Sequence, residues 1–168
     1  MTIFVPFDGS ELAEAALVRA TEFANALDET VLAVSVIPEN GVEYAKERGW
    51  IEQDEAFDLE SIVSELHTQV TDLAPSADFH HEVVDRFVSQ GMVGRRLRRL
   101  AREEDASMVV IGSENAGRIT TPLSVGRAVA TDDAYDVVIV RDRSPAKIEK
   151  LRESSPHRRS RSDFYLSN

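Results

Sequence analysis

The sequence predicts an α/β fold, a five-stranded parallel sheet with helices on both faces, and three observations predict it. Short β-branched runs alternate with amphipathic segments along most of the 168 residues. The apolar runs are nearly continuous, as in strands covered from both sides. Each pair of runs is separated by enough chain for the right-handed crossover that parallel strands require. The length, with 42% apolar residues, suits one domain with a real core.

Thr2 to Asp8 (TIFVPFD) is β-branched and aromatic and reads as a buried strand finishing at Asp8. Ser10 is a candidate N-cap for a helix from Glu11 to Leu27, whose Leu12, Ala15, Ala16, Val18, Phe23 and Leu27 recur at roughly helical spacing. Val31 to Ile37 (VLAVSVI) is the second strand, ended by Pro38. Residues 39–57 are polar and acidic, hold Gly41, Gly49 and Trp50, and read as a surface insert. A helix from about Asp58 to Leu73 stops before Pro75. Ala77 to Asp85 alternates as an edge strand with one wet side. Met92 to Glu104 places Val93, Leu97, Leu100 and Ala101 on one helix face. Ser107 to Gly112 (SMVVIG) is the fourth strand, Thr121-Pro122 starts a helix that runs to about Thr131, and Val137 to Arg141 is the fifth strand.

Charge narrows the function classes. Thirty acids against 19 bases give −11, and only three of the bases are lysines, Lys46, Lys147 and Lys150. Such a balance suits a protein kept in solution in concentrated salt, so a halophilic source is expected. It sets the body of the protein against nucleic acid as a partner, since both are anionic. Residues 142–168 carry seven bases and four acids, leaving −14 for residues 1–141. The expected division is therefore a domain over 1–141 and a basic, flexible tail over 142–168, Ser- and Arg-rich at 154–162, which could meet an acidic protein partner. Without cysteine there is no disulfide, thiolate metal site or cysteine nucleophile. No apolar stretch approaches the 18 or so residues of a membrane span, and no basic region precedes one, so a cytoplasmic location is expected.

In an open α/β sheet the ligand crevice lies at the carboxyl ends of the strands, where strand order reverses. Asp8, Ser35 to Pro38, Asp85, Gly112-Ser113 and Arg141 are the strand-end residues. The turn GSENAG (residues 112–117), leading to a helix N-terminus, is where backbone N–H groups could cradle an anion. His80 and His81 adjoin on a strand and point to opposite faces, and His67 lies alone on a helix, so no metal site is expected. Arg95, Arg96, Arg98, Arg99 and Arg102 flank an apolar stripe and read as partners for nearby carboxylates. No Ser–His–Asp order, carboxylate pair or Walker sequence is present, and no catalytic residue is assigned.

These residues carry a resemblance. VPFDGSELAEAAL (5–17), VLAVSVI (31–37), SMVVIGSENAG (107–117), and SVGRAV followed by DDAYDVVIVR (within 124–141) resemble, in order and near spacing, a universal stress protein domain. The resemblance implies a Rossmann-like fold of strand order 3-2-1-4-5 and a stress-response or regulatory role. It also implies a nucleotide site of Phe7, Asp8, Val36, Ile111, Gly112, Asn115, Ser124 and Val125. In ATP-binding members, the residue matching Asp8 contacts the nucleoside and that matching Val36 packs on the base. A G-x-x-G-x9-G-[S/T] loop, beginning at Gly112 and ending at Ser124 here, holds the phosphates. Asn115 replaces the second glycine, Leu123 the third, the interval is short, and Glu114 adds negative charge. The expectation is weak ATP binding or none, with ATP or AMP binding as the alternative. Antiparallel pairing of Val137, Val138, Ile139 and Val140 across a two-fold axis is the implied homodimer. A phosphorelay receiver is a competing α/β reading, with Asp8, Asp85 and Ser113 in three of its roles. It lacks the second acid beside Asp8 and has Arg141-Asp142 where a lysine is needed.

Overall fold

The computed structural model describes residues 1–85, 87, 90–113 and 125–142. Its elements are β1 (Thr2–Pro6), α1 (Glu11–Leu27), β2 (Thr30–Pro38), α2 (Val42–Glu47), α3 (Leu59–Leu73), β3 (Asp78–Val84), α4 (Gln90–Glu103), β4 (Ala106–Gly112), α5 (Val125–Ala130) and β5 (Asp136–Val140). The five strands form one parallel sheet in the order β3-β2-β1-β4-β5. The helix start expected at Thr121-Pro122 and the tail beyond Asp142 lie outside the described residues.

Strand alternation explains why both faces are covered. Ile3 and Val5 of β1 point into one core with Leu17 of α1 and Ile62 and Leu66 of α3. Phe4, between them, joins Val34, Val109, Val93 and Leu97 in a second core under α4, with Val129 of α5. Phe4 and Leu17 are fully buried. The sheet order also separates this chain from a receiver, whose order 2-1-3-4-5 sets the first strand beside the third. Here β3 lies at an edge, two strands from β1, and Asp85 is far removed from Asp8 in the sheet.

Three expectations need correction. β1 ends at Pro6 rather than Asp8, because proline has no N–H for the ladder, although the Phe7 N–H still donates to the Val34 carbonyl at 2.8 Å. Leu27 is 53% exposed, so the apolar face of α1 stops before its last residue. The largest correction concerns residues 39–57, which are no surface insert. α2 lies within them, and Ala45, Trp50 and Ile51 are buried in the first core. Val138 and Val137 of β5 also pack inward, one on each core, and β5 ends the sheet.

The arginine face of α4 is a set of ion pairs. Arg96 pairs with Glu82 of β3, and Arg99 with Glu103. Arg102 grips both oxygens of Asp132, each at 2.8 Å, and Arg98 approaches the same carboxylate at 3.6 Å. Asp132 also accepts the Ala134 N–H at 2.9 Å, clamping α4 to the turn before β5. The hydrogen bond from Arg102 holds the Asp132 carboxyl below its ordinary value of 3.8, against a partial cost of burial. A depressed carboxylate contributes stability that is present above its unfolded pKa and lost as pH falls through its folded one. Asp132→Asn should therefore lower the melting temperature at pH 7, and the gap to wild type should close as pH falls below about 3.8. Melts of both proteins from pH 7 to pH 2.5 or so measure it; a gap independent of pH would contradict the assignment.

Candidate functional site

The carboxyl ends of β1 and β4, the strands flanking the point where strand order reverses, open onto a cavity of about 200 Å³. Phe7, Asp8, Val36, Ile111 and Gly112 all line it, so the structure brings five of the predicted site residues together. Val93 and Leu97 of α4 supply an apolar wall, and Tyr44 and Arg48 supply a wall that the sequence did not lead us to expect. Asn115 and Ser124 lie outside the described residues, and Val125 is the first residue of α5.

Local structure places each of these groups. Gly9, at φ +77°, is in the left-handed region, and this turns the chain from β1 into α1 directly after Asp8. Asp8 then accepts the Ser10 N–H at 3.0 Å, and the Ser10 hydroxyl accepts the Ala13 N–H at 3.2 Å as the N-cap of α1. Ser35, a buried hydroxyl in an otherwise apolar strand, donates to the Phe7 carbonyl at 2.5 Å and fixes the chain just before Asp8. At Gly112 a Cβ would stand 2.1 Å from the Leu12 carbonyl oxygen, so only glycine lets β4 pass this close to α1.

The unanticipated wall is tied to Asp8 twice. The Trp50 indole donates to the Asp8 carbonyl oxygen at 2.7 Å, and Arg48 Nη1 donates to Asp8 Oδ2 at 3.2 Å. Arg48 lies over the Tyr44 ring, 4.7 Å from its centroid, and Tyr44 meets Trp50 edge-on at 5.6 Å. Burial pushes the Tyr44 phenol upward, and the Arg48 charge offsets only part of the rise. Burial works against the Arg48 charge in turn, but Tyr44 and Asp8 outweigh it, so Arg48 stays a cation at any physiological pH. The signal in the sequence was the pair Tyr44 and Arg48 at i, i+4 with a tryptophan two residues on, in a stretch otherwise polar.

Other candidates fall elsewhere. Asp85 lines a separate, more open depression with Glu39, Asn40 and Phe87. His67 stacks on Phe79 at 5.2 Å, and His80 and His81 are both exposed on β3. Among the described residues no group of three or more His, Cys, Asp or Glu could hold a metal ion, and no helix is long and apolar enough to cross a membrane.

Among solved structures, a universal stress protein in complex with cAMP is similar at 23% identity and a TM-score of 0.57, covering 84% of this chain and 97% of that one. The universal stress protein from Archaeoglobus fulgidus is similar at 21% identity and 0.51, over 83% and 96%. A universal stress family protein from Burkholderia pseudomallei is similar at 21% and 0.52, over 84% and 96%. At these identities the likeness establishes the fold, with the strand order described above. No curated protein matches. The sequence model of the universal stress protein family matches residues 1–144, and on that match this chain belongs to the universal stress protein family.

Proposed function

We propose that this protein is a regulatory, non-catalytic member of its family whose crevice takes a compact adenine nucleotide and binds ATP weakly or not at all. The observation that carries the reading is the convergence of Phe7, Asp8, Val36, Ile111 and Gly112 on one cavity at the reversal of strand order. The cavity's apolar walls and its single acid suit a nucleoside. The cAMP complex of a neighbour sharing the fold gives the class of ligand to try first. The sequence beyond β4 argues against polyphosphate, since Asn115 and Leu123 replace glycines whose bare N–H groups would converge on phosphate, and Glu114 adds repulsion.

Calorimetry with ATP and Mg²⁺ is the test. Wild type should give no measurable heat at about 100 μM, and a variant with Asn115→Gly, Leu123→Gly and Glu114→Gln should gain binding. Micromolar ATP binding by the wild type would overturn the reading.

The same reading includes a homodimer through β5, in the cytoplasm of a halophile. β5 ends the sheet with one edge free for antiparallel pairing among the described residues, and four consecutive apolar residues favour it. Because Val138 packs into the first core, Ile139→Lys is the cleaner probe of the edge. Sedimentation in molar salt should give a dimer for wild type at micromolar concentration and a monomer for Ile139→Lys; a monomeric wild type would end the idea.

A further inference from the structure

The cavity contains a cation whose bonding is incomplete. A guanidinium has five N–H donors and no acceptor. Arg48 gives Nη1 to Asp8, is also hydrogen-bonded to Tyr44, and holds its guanidinium carbon 4.7 Å from that ring's centroid, while its Nε is buried away from the cavity with no partner among the described residues. The side chain is 25% exposed, so water reaches little of it. In a protein of net charge −11, Arg48 is the cation lining this cavity among the described residues. Guanidinium and carboxylate stand 3.2 Å apart, so the crevice presents an acceptor and a set of donors side by side.

Building on the nucleotide reading above, we propose that Arg48 is the specificity-determining residue of the crevice, selecting an adenine nucleoside that carries a phosphoryl group over the same nucleoside without one. Asp8 accepts from a ligand hydroxyl or amine, and the Nη donors that Arg48 spends on neither Asp8 nor Tyr44 turn to a phosphoryl oxygen, a contact strengthened by charge on both sides. An uncharged nucleoside reaches the apolar walls at Val36 and Tyr44 but returns no anion to the guanidinium. Inorganic phosphate returns the anion but leaves those walls bare. The preferred ligand has both parts, and its charge lies next to the group that Asp8 holds.

The test is calorimetry on the full chain with adenosine, 5′-AMP, 3′,5′-cyclic AMP and inorganic phosphate, using wild type, Arg48→Gln, Arg48→Lys and the Asp8→Asn, Arg48→Gln pair. Wild type should bind at least one phosphorylated nucleoside about tenfold or more tighter than adenosine, the scale of a hydrogen bond to a charged group. Arg48→Gln should flatten that ratio to near one. Arg48→Lys, which keeps the charge and the aliphatic stem, should recover part of the ratio, so a packing defect is told apart from a lost charge. The double variant removes the unpaired Asp8 carboxylate and should show the same flat ratio. Adenosine binding as tightly as the nucleotides in wild type, or a ratio unchanged in Arg48→Gln, would overturn the role of Arg48 and leave the nucleotide reading standing. Phosphate binding as tightly as the nucleotides would overturn the selection as well. Failure of every adenine compound to bind wild type would overturn the nucleotide reading itself.

Discussion

Gly112→Ala should lower the unfolding free energy by about 3 kcal/mol, at the upper end of what overpacking costs. The added Cβ would stand 2.1 Å from the Leu12 carbonyl oxygen, 2.3 Å from the Leu12 carbonyl carbon and 2.8 Å from the Ala13 nitrogen. All three are backbone atoms, so no rotamer change relieves the overlap, and the first turn of α1 must move away from β4. For a chain of this length the loss corresponds to roughly 6–12 °C in melting temperature. Gly112→Ser should cost about as much, since the obstacle is the Cβ and not the hydroxyl beyond it. Denaturant titration and thermal melts measure both, and a loss under about 1 kcal/mol for either would show that α1 yields easily. The sequence resemblance gives this glycine a place at the phosphates; the structure gives it an additional duty, the close passage of a helix over a strand. Loss of ligand binding in a Gly112 variant is therefore interpretable only beside its stability.

Trp50→Ala should cost about 3–5 kcal/mol, the range for deleting a large buried aromatic side chain. Trp50 is 5% exposed and belongs to the first core. Its indole N–H is bonded to the Asp8 carbonyl, and its ring supports Tyr44, which in turn carries Arg48. Trp50→Phe keeps much of the burial and removes the hydrogen bond, so it should cost less, about 1–2 kcal/mol. Equilibrium unfolding of the two variants measures the difference. If Trp50→Ala were near neutral, residues 39–57 would be the surface insert that their composition suggests, and the packing of Trp50 into the first core would be wrong.

Strands were legible in the sequence because burial on both faces leaves no room for polar residues. VLAVSVI and SMVVIG could scarcely be anything else, and the one hydroxyl in the first of them is explained by the Phe7 carbonyl that Ser35 meets. Half of the crevice was legible for a related reason. Asp8, Val36 and Gly112 sit at strand ends, which strand order carries to one place. The wall made by Tyr44, Arg48 and Trp50 was not legible, because α2 has only six residues and shows no repeating pattern to read. Its geometry is set from outside, by Ala45 and Trp50 entering the core and by the Trp50 N–H closing back on the Ala45 carbonyl at 2.8 Å. Acidic composition correctly marks that segment as solvated on one side and conceals what the other side does.

Trp50 is the only tryptophan in the chain, and it stands within one hydrogen bond of Asp8 and one ring contact of Tyr44. Indole emission from this protein is therefore a built-in optical gauge of the crevice, free of background from any second indole. An occupant that engages Arg48 and Asp8 alters the charge beside the excited ring and the hold on its N–H, and so shifts the wavelength and yield of the emitted light. Titrations can be followed in unlabelled protein, at concentrations well below those calorimetry needs, and stopped-flow mixing would time the arrival of a ligand from the same signal.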